Sequence, residues 1–99
     1  MNDSQDLLNL MRAIKKKPEL SQRELAKDLG FSLGKLNYCL NALKKKRMVK
    51  IENFQKHPNK TNYLYILTPR GIKEKTKLTI AFMDRMMKEY DELKKELEH

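Results

Sequence analysis

Ninety-nine residues with 39% hydrophobic and 35% charged content allow one domain with one modest core, too apolar and too periodic to be disordered. No apolar run approaches the ~18–20 residues of a membrane span, and the polar, acidic opening from Met1 to Asp6 does not read as a signal peptide. The single cysteine, Cys39, excludes an internal disulfide and suits a reducing cytoplasm. The net charge of +9 is unevenly placed. Residues 1–68 hold 14 Lys and Arg against 6 Asp and Glu, whereas residues 69–99 hold 8 against 7. A polyanionic partner therefore belongs to the first two-thirds of the chain, and the tail has another task.

In chain order, Leu7, Leu8, Leu10, Met11 and Ile14 recur at helical spacing. Asp3 or Ser4 is the expected N-cap, and Lys15 to Lys17 followed by Pro18 the expected end. Ser21-Gln22-Arg23-Glu24 reads as a capping box for a second helix with a Leu25, Ala26, Leu29 stripe, and Gly30 stands where a left-handed C-cap is wanted. Ser32 caps a third helix whose apolar stripe is Leu33, Leu36, Leu40 and Leu43. The period then changes. Met48 to about Phe54 and Asn62 to Thr68 read as strands, joined by a polar, basic loop from Gln55 to Thr61. Pro69 opens the final helix.

This α-α-α-β-β-α order, mainly α with a small β-hairpin, is that of a winged helix-turn-helix. The Ala26, Gly30, Leu36 spacing supports it: a small residue where two helices cross, a glycine in the turn, an apolar residue packing back. At about 100° per residue, the outward face of the third helix carries Gly34, Lys35, Tyr38, Asn41, Ala42 and Lys45. That face is the expected major-groove reader of double-stranded DNA, with Ser32 at the helix start favouring a phosphate. Lys35 is suited to guanine, Asn41 to adenine, and Tyr38 to a thymine methyl or a phosphate. In the hairpin, Lys56, Asn59, Lys60 and Asn62 form the wing that follows the backbone or enters the minor groove. His57 is a lone histidine beside a proline and reads as a turn residue, and Cys39 as buried apolar filler.

From residue 69 to 97 a heptad runs through Ile72, Thr76, Thr79, Met83, Met86, Tyr90, Leu93 and Leu97, the pattern of a homodimer seam. Leu78, Ile80, Phe82 and Met87 widen the stripe, so part of it is expected to pack on the chain's own body. Glu89 and Lys94 occupy flanking positions that pair across a parallel dimer. Two-fold symmetry then calls for an inverted-repeat operator with half-sites ~34 Å apart. Leu97-Glu98-His99 looks like the start of an affinity tag.

The stretches Ser21 to Ala26, Gly30, Ser32 to Tyr38, Val49 to Phe54 and Leu67 to Gly71 resemble the EPS-associated branch of the MarR-type regulators. The resemblance implies a bacterial transcriptional regulator acting near polysaccharide gene clusters. The chain departs from typical members in its short first helix and single C-terminal helix, so no effector site is carried over. Lys60 is the nearest substitute for the arginine common at the wing tip.

An enzyme is disfavoured: there is no Ser–His–acid set, no glycine-rich phosphate loop and no metal-ligand spacing, and no cofactor is expected. The competing reading is a winged protein-interaction module using the methionine-rich tail, which has no need of the concentrated positive charge. RNA binding would ask for more exposed aromatics than Tyr63 and Tyr65 supply.

Overall fold

The computed structural model describes the backbone of residues 3–57 and 60–98 and the side chains of residues 4–52 and 63–98. Its elements are α1 (Asp3–Lys16), α2 (Gln22–Leu29), α3 (Leu33–Lys45), β1 (Val49–His57), β2 (Lys60–Leu67) and α4 (Pro69–Leu97). Three helices and a two-stranded antiparallel hairpin are thus succeeded by one long helix, as the sequence pattern predicts.

The helix ends obey local chemistry. Ser21 caps α2, with reciprocal 3.2 Å bonds between its hydroxyl and the Glu24 N–H and between its own N–H and the Glu24 carboxylate. Gly30 closes the helix at φ 70°, and the Phe31 N–H reaches back to the Ala26 carbonyl at 2.8 Å. Ser32 caps α3 through the Lys35 N–H. Thr68 caps α4 through the Gly71 N–H, with Pro69 in the first turn. One expectation is corrected. Ser4 lies inside the first turn of α1, which already begins at Asp3, so it does not cap that helix.

The core gathers Leu10, Met11 and Ile14 from α1, Leu25 and Ala26 from α2, and Leu36, Cys39, Leu40 and Leu43 from α3. Val49, Tyr65 and Leu67 close it from the hairpin. Leu33, expected in this stripe, is 41% exposed, and Cys39 is buried in its place. Leu33 sits in the first turn of α3, beside a groove it shares with Arg23 and Tyr63, while α1 covers the Cys39 side.

The hairpin is longer than its side chains suggest. Pairing runs from Val49↔Leu67 outward to His57↔Lys60, with an irregularity between Gln55 and His57. The polar stretch expected as a loop is therefore mostly strand. The backbone ladder pairs N–H with C=O whatever the side chains, so it continues without alternating apolar residues. At the base of the ribbon, the Tyr65 N–H donates to the Pro18 carbonyl at 3.2 Å, which ties β2 to the α1–α2 turn.

The backbones of α3, β1 and α4 meet closely at one point. Arg47 adopts φ 59°, and the Met48 N–H returns to the Leu43 carbonyl at 2.9 Å, so α3 ends as a glycine-capped helix would but without the glycine. The Met48 carbonyl accepts the Thr68 N–H at 3.0 Å, and the Thr68 hydroxyl donates to the Arg47 carbonyl at 2.6 Å. Gly71 is buried against the same carbonyl, where a Cβ would overlap the Met48 backbone.

Gly71→Ala should therefore lower stability by about 1–3 kcal/mol, through a shift the backbone cannot easily make. Gly34→Ala, which meets nothing within 4 Å, should raise it by about 0.5–1 kcal/mol. Urea denaturation of the two variants checks both signs.

Candidate nucleic-acid interface

The outward side of α3 is set by which residues the core takes. With Leu36, Cys39, Leu40 and Leu43 inward, the axis of the buried stripe turns by about 30° from the one drawn through Leu33. Gly34, Tyr38, Asn41 and Lys45 remain exposed on the far side, as expected, with Tyr38 67% accessible. Asn37 and Lys44, not singled out from the sequence, join them on the flank toward Leu33. Ala42, on the opposite flank, is half-buried. The signal that finds Asn37 is Cys39: counting it as apolar core, rather than edge filler, rotates the face onto that residue.

Lys35 is the second shift. Its ammonium lies 3.2 Å from the Asp6 carboxylate of α1 and 4.4 Å from the centroid of the Phe31 ring. The side chain is about one-third exposed and that of Asp6 less so. Together with Leu7, Tyr38, Cys39, Ala42 and Lys46, the pair lines a cleft of about 150 Å³ between α1 and α3. Ser32 is exposed at the N-terminus of α3, its hydroxyl already accepting the Lys35 N–H at 3.0 Å.

The cations at the far end of α3, Lys44, Lys45, Lys46 and Arg47, are all exposed and form no ion pair with any described residue. Of the wing residues, Lys56, Lys60 and Asn62 fall on the strands by backbone register, and their side chains lie outside the described residues. Asn59 lies wholly outside them, as does the side chain of His57. Tyr65 is buried in the core. Tyr63, two residues along on the same face, has passed the edge of the body and is 53% exposed over the groove beside α2.

The second candidate surface is α4. Leu78 packs on the core, and Thr79 and Phe82 face Leu8 of α1. Thr76 and Thr79 return their hydroxyls to the carbonyls of Ile72 and Lys75. From Met83 to Glu98 every residue is exposed, and Met83, Met86, Met87, Tyr90, Leu93 and Leu97 form a continuous apolar stripe. Ile72 and Ile80 extend it toward the N-terminus of the helix. Among the described residues no group of His, Cys, Asp and Glu could hold a metal ion, and no helix is long and apolar enough to cross a membrane.

Residues 7–50, the stretch from α1 through the turn into β1, match the family described as winged helix-turn-helix DNA-binding. No curated protein matches the chain. Among solved structures, the PcaV transcriptional regulator of Streptomyces coelicolor, in complex with its natural ligand, superposes with a TM-score of 0.67 at 18% identity, over 83% of this chain and 58% of that one. A MepR variant of Staphylococcus aureus bound to an oligodeoxyribonucleotide gives 0.63 at 22%, over 98% and 74%. The zinc-responsive MarR family member ZitR of Lactococcus lactis gives 0.63 at 18%, over 94% and 60%. The chain thus spans under two-thirds of the length of PcaV and ZitR. The fold is the winged helix-turn-helix of MarR-like proteins.

Two outcomes test the local chemistry. Asp6→Ala and Lys35→Ala should each change stability by less than about 1 kcal/mol in thermal melts, because the pair is partly solvated. The Glu24 carboxyl lies below its ordinary value of 4.5, held there by the Ser21 side chain and then by the Ser21 backbone N–H. A depressed folded-state pKa stabilises above the unfolded value and loses that contribution as pH falls through the folded one. The advantage of the wild type over Glu24→Ala should accordingly be full at neutral pH and shrink as the pH is taken well below 4.5.

Proposed function

We propose that this chain is a sequence-specific DNA-binding transcriptional regulator that acts as a homodimer on an inverted-repeat operator. The observation that carries it is the coincidence of an exposed, polar and basic α3 face with a helix-turn-helix frame whose residues 7–50 match a DNA-binding family. The surplus of positive charge in residues 1–68 supplies the attraction to phosphates that such binding needs. In this reading residues 1–68 dock on DNA, with α3 in the major groove and Lys56, Asn59, Lys60 and Asn62 of the hairpin on the flanking backbone or minor groove. A cytoplasmic location goes with it.

Residues 69–97 form the dimerisation helix, and a second copy is the occupant of the exposed stripe on α4. Twenty-nine residues at 1.5 Å each make a rod of about 44 Å, and the molecule is 65 Å in its longest dimension against 26 and 21 Å in the others. A solvated half-helix carrying Met83, Met86, Tyr90 and Leu93 on one stripe is marginal alone and stable against a twin. Ile72, Thr76 and Thr79 continue the seam toward the body, with Thr79 already half-covered by α1. The assignment to polysaccharide gene clusters rests on the sequence resemblance alone. The interaction-module reading draws on the same stripe, through Ile80, Met83, Met86 and Met87.

Sedimentation at micromolar concentration should give a dimer, and Met83→Glu combined with Leu93→Glu a monomer that keeps its fold. Anisotropy titrations on random duplex DNA should show log K falling by ~0.9 per phosphate contact against log salt. A wild type that binds no duplex at low salt overturns the regulator reading in favour of the interaction module. One that binds as a monomer overturns only the dimer.

A further inference from the structure

We propose that α3 reads adenine rather than guanine, through the amides of Asn37 and Asn41, while Asp6 withholds Lys35 from the bases. The inference rests on the DNA-binding reading above and deepens it by naming the base class. Base edges are reached by the exposed face of a recognition helix, most readily from its first turns. In α3 the only cation before its last turn is Lys35, the side chain suited to the paired acceptors of guanine. Its ammonium is held 3.2 Å from the Asp6 carboxylate and over the Phe31 ring, on the α1 flank of the helix. For Lys35 to turn to a base, both contacts must break and an uncompensated carboxylate must be left facing the negative field of the DNA.

The amides have no such engagement. Asn37 and Asn41 are exposed and make no hydrogen bond to another described residue. Four residues apart, they lie about 40° apart around the helix and about 6 Å apart along it, close to two base steps of ~3.4 Å. A carboxamide presents one acceptor and one donor side by side, which matches the N6 donor and N7 acceptor of adenine. Against guanine, whose N7 and O6 are both acceptors, only the amide's donor is satisfied. Tyr38, 67% exposed on the other flank, offers its ring to the methyl of a thymine. The half-site that fits this face carries two adenines about two steps apart.

The test is selection of binding sites from random duplexes by the full chain, with Asn37→Ala, Asn41→Ala and Asp6→Asn alongside. All three positions lie on helix surfaces, and circular dichroism confirms the helical content of each variant. The wild type should select two A·T pairs per half-site, and each asparagine variant should lose about tenfold in preference at one of them while keeping the other. Replacing those A·T pairs with inosine·cytosine keeps the minor-groove surface of A·T but presents the major-groove edge of guanine, and should abolish the preference. Asp6→Asn should admit guanine at a neighbouring position. Guanine at the contacted positions in the wild type, unchanged preferences in both asparagine variants, or full binding to the inosine duplex overturns the adenine assignment. An unchanged site in Asp6→Asn overturns the role given to Asp6. Failure of the wild type to bind any duplex is seen before selection begins and removes the DNA-binding reading as well.

Discussion

The Met48 carbonyl is the point on which the arrangement of this chain turns. It receives the Thr68 N–H, it lies one residue beyond the left-handed Arg47 that ends α3, and it rests on the bare Cα of Gly71. Three elements therefore take their direction from one peptide: the end of α3, the first strand of the hairpin, and the start of α4. The Thr68 hydroxyl adds a second tie to the Arg47 carbonyl. Because Val49 pairs with Leu67 just beyond this knot, the ribbon leaves the body at an angle set by the backbone. Any side chain at position 71 would meet the Met48 backbone and push the start of α4 away from it.

The apolar residues are divided between two uses. In α1 to β2 they converge on one core, with no buried polar or charged side chain among the described residues. In α4 the inward face ends at Phe82, and the rest is a solvated helix with a stripe of methionine, tyrosine and leucine. Long unbranched methionines adapt to an opposing surface at small cost. The charge is divided the same way, with the positive surplus on the body and near-balance on the tail.

The polar face of α3 is shaped by its neighbours as much as by its own sequence. α1 covers Cys39 and supplies Asp6, so one flank of the helix is closed and its lysine engaged. The other flank, from Leu33 to Asn37 and Lys44, stays open toward the groove below the ribbon. A face drawn with Leu33 in the core differs by about 30° from the one drawn with Cys39 there, and the burial of Cys39 under α1 decides between them.

Order and type of the elements were legible in the residues because their signals are local. Ser21 with Glu24, Gly30 and Ser32 mark helix ends through bonds spanning three to five residues, and those bonds form as written. That Pro69 opens one long helix was legible for the same reason. The features that the tertiary structure decided depend on contacts between residues far apart in the chain. Leu33 stays largely outside because it borders an open groove shared with Arg23 and Tyr63, and Lys35 meets Asp6 because α1 crosses there. The strands extend through polar residues because each is hydrogen-bonded by the other, whatever its side chains. Arg47 takes a conformation its own chemistry disfavours because the Met48 carbonyl must reach Thr68, a constraint written 20 residues away.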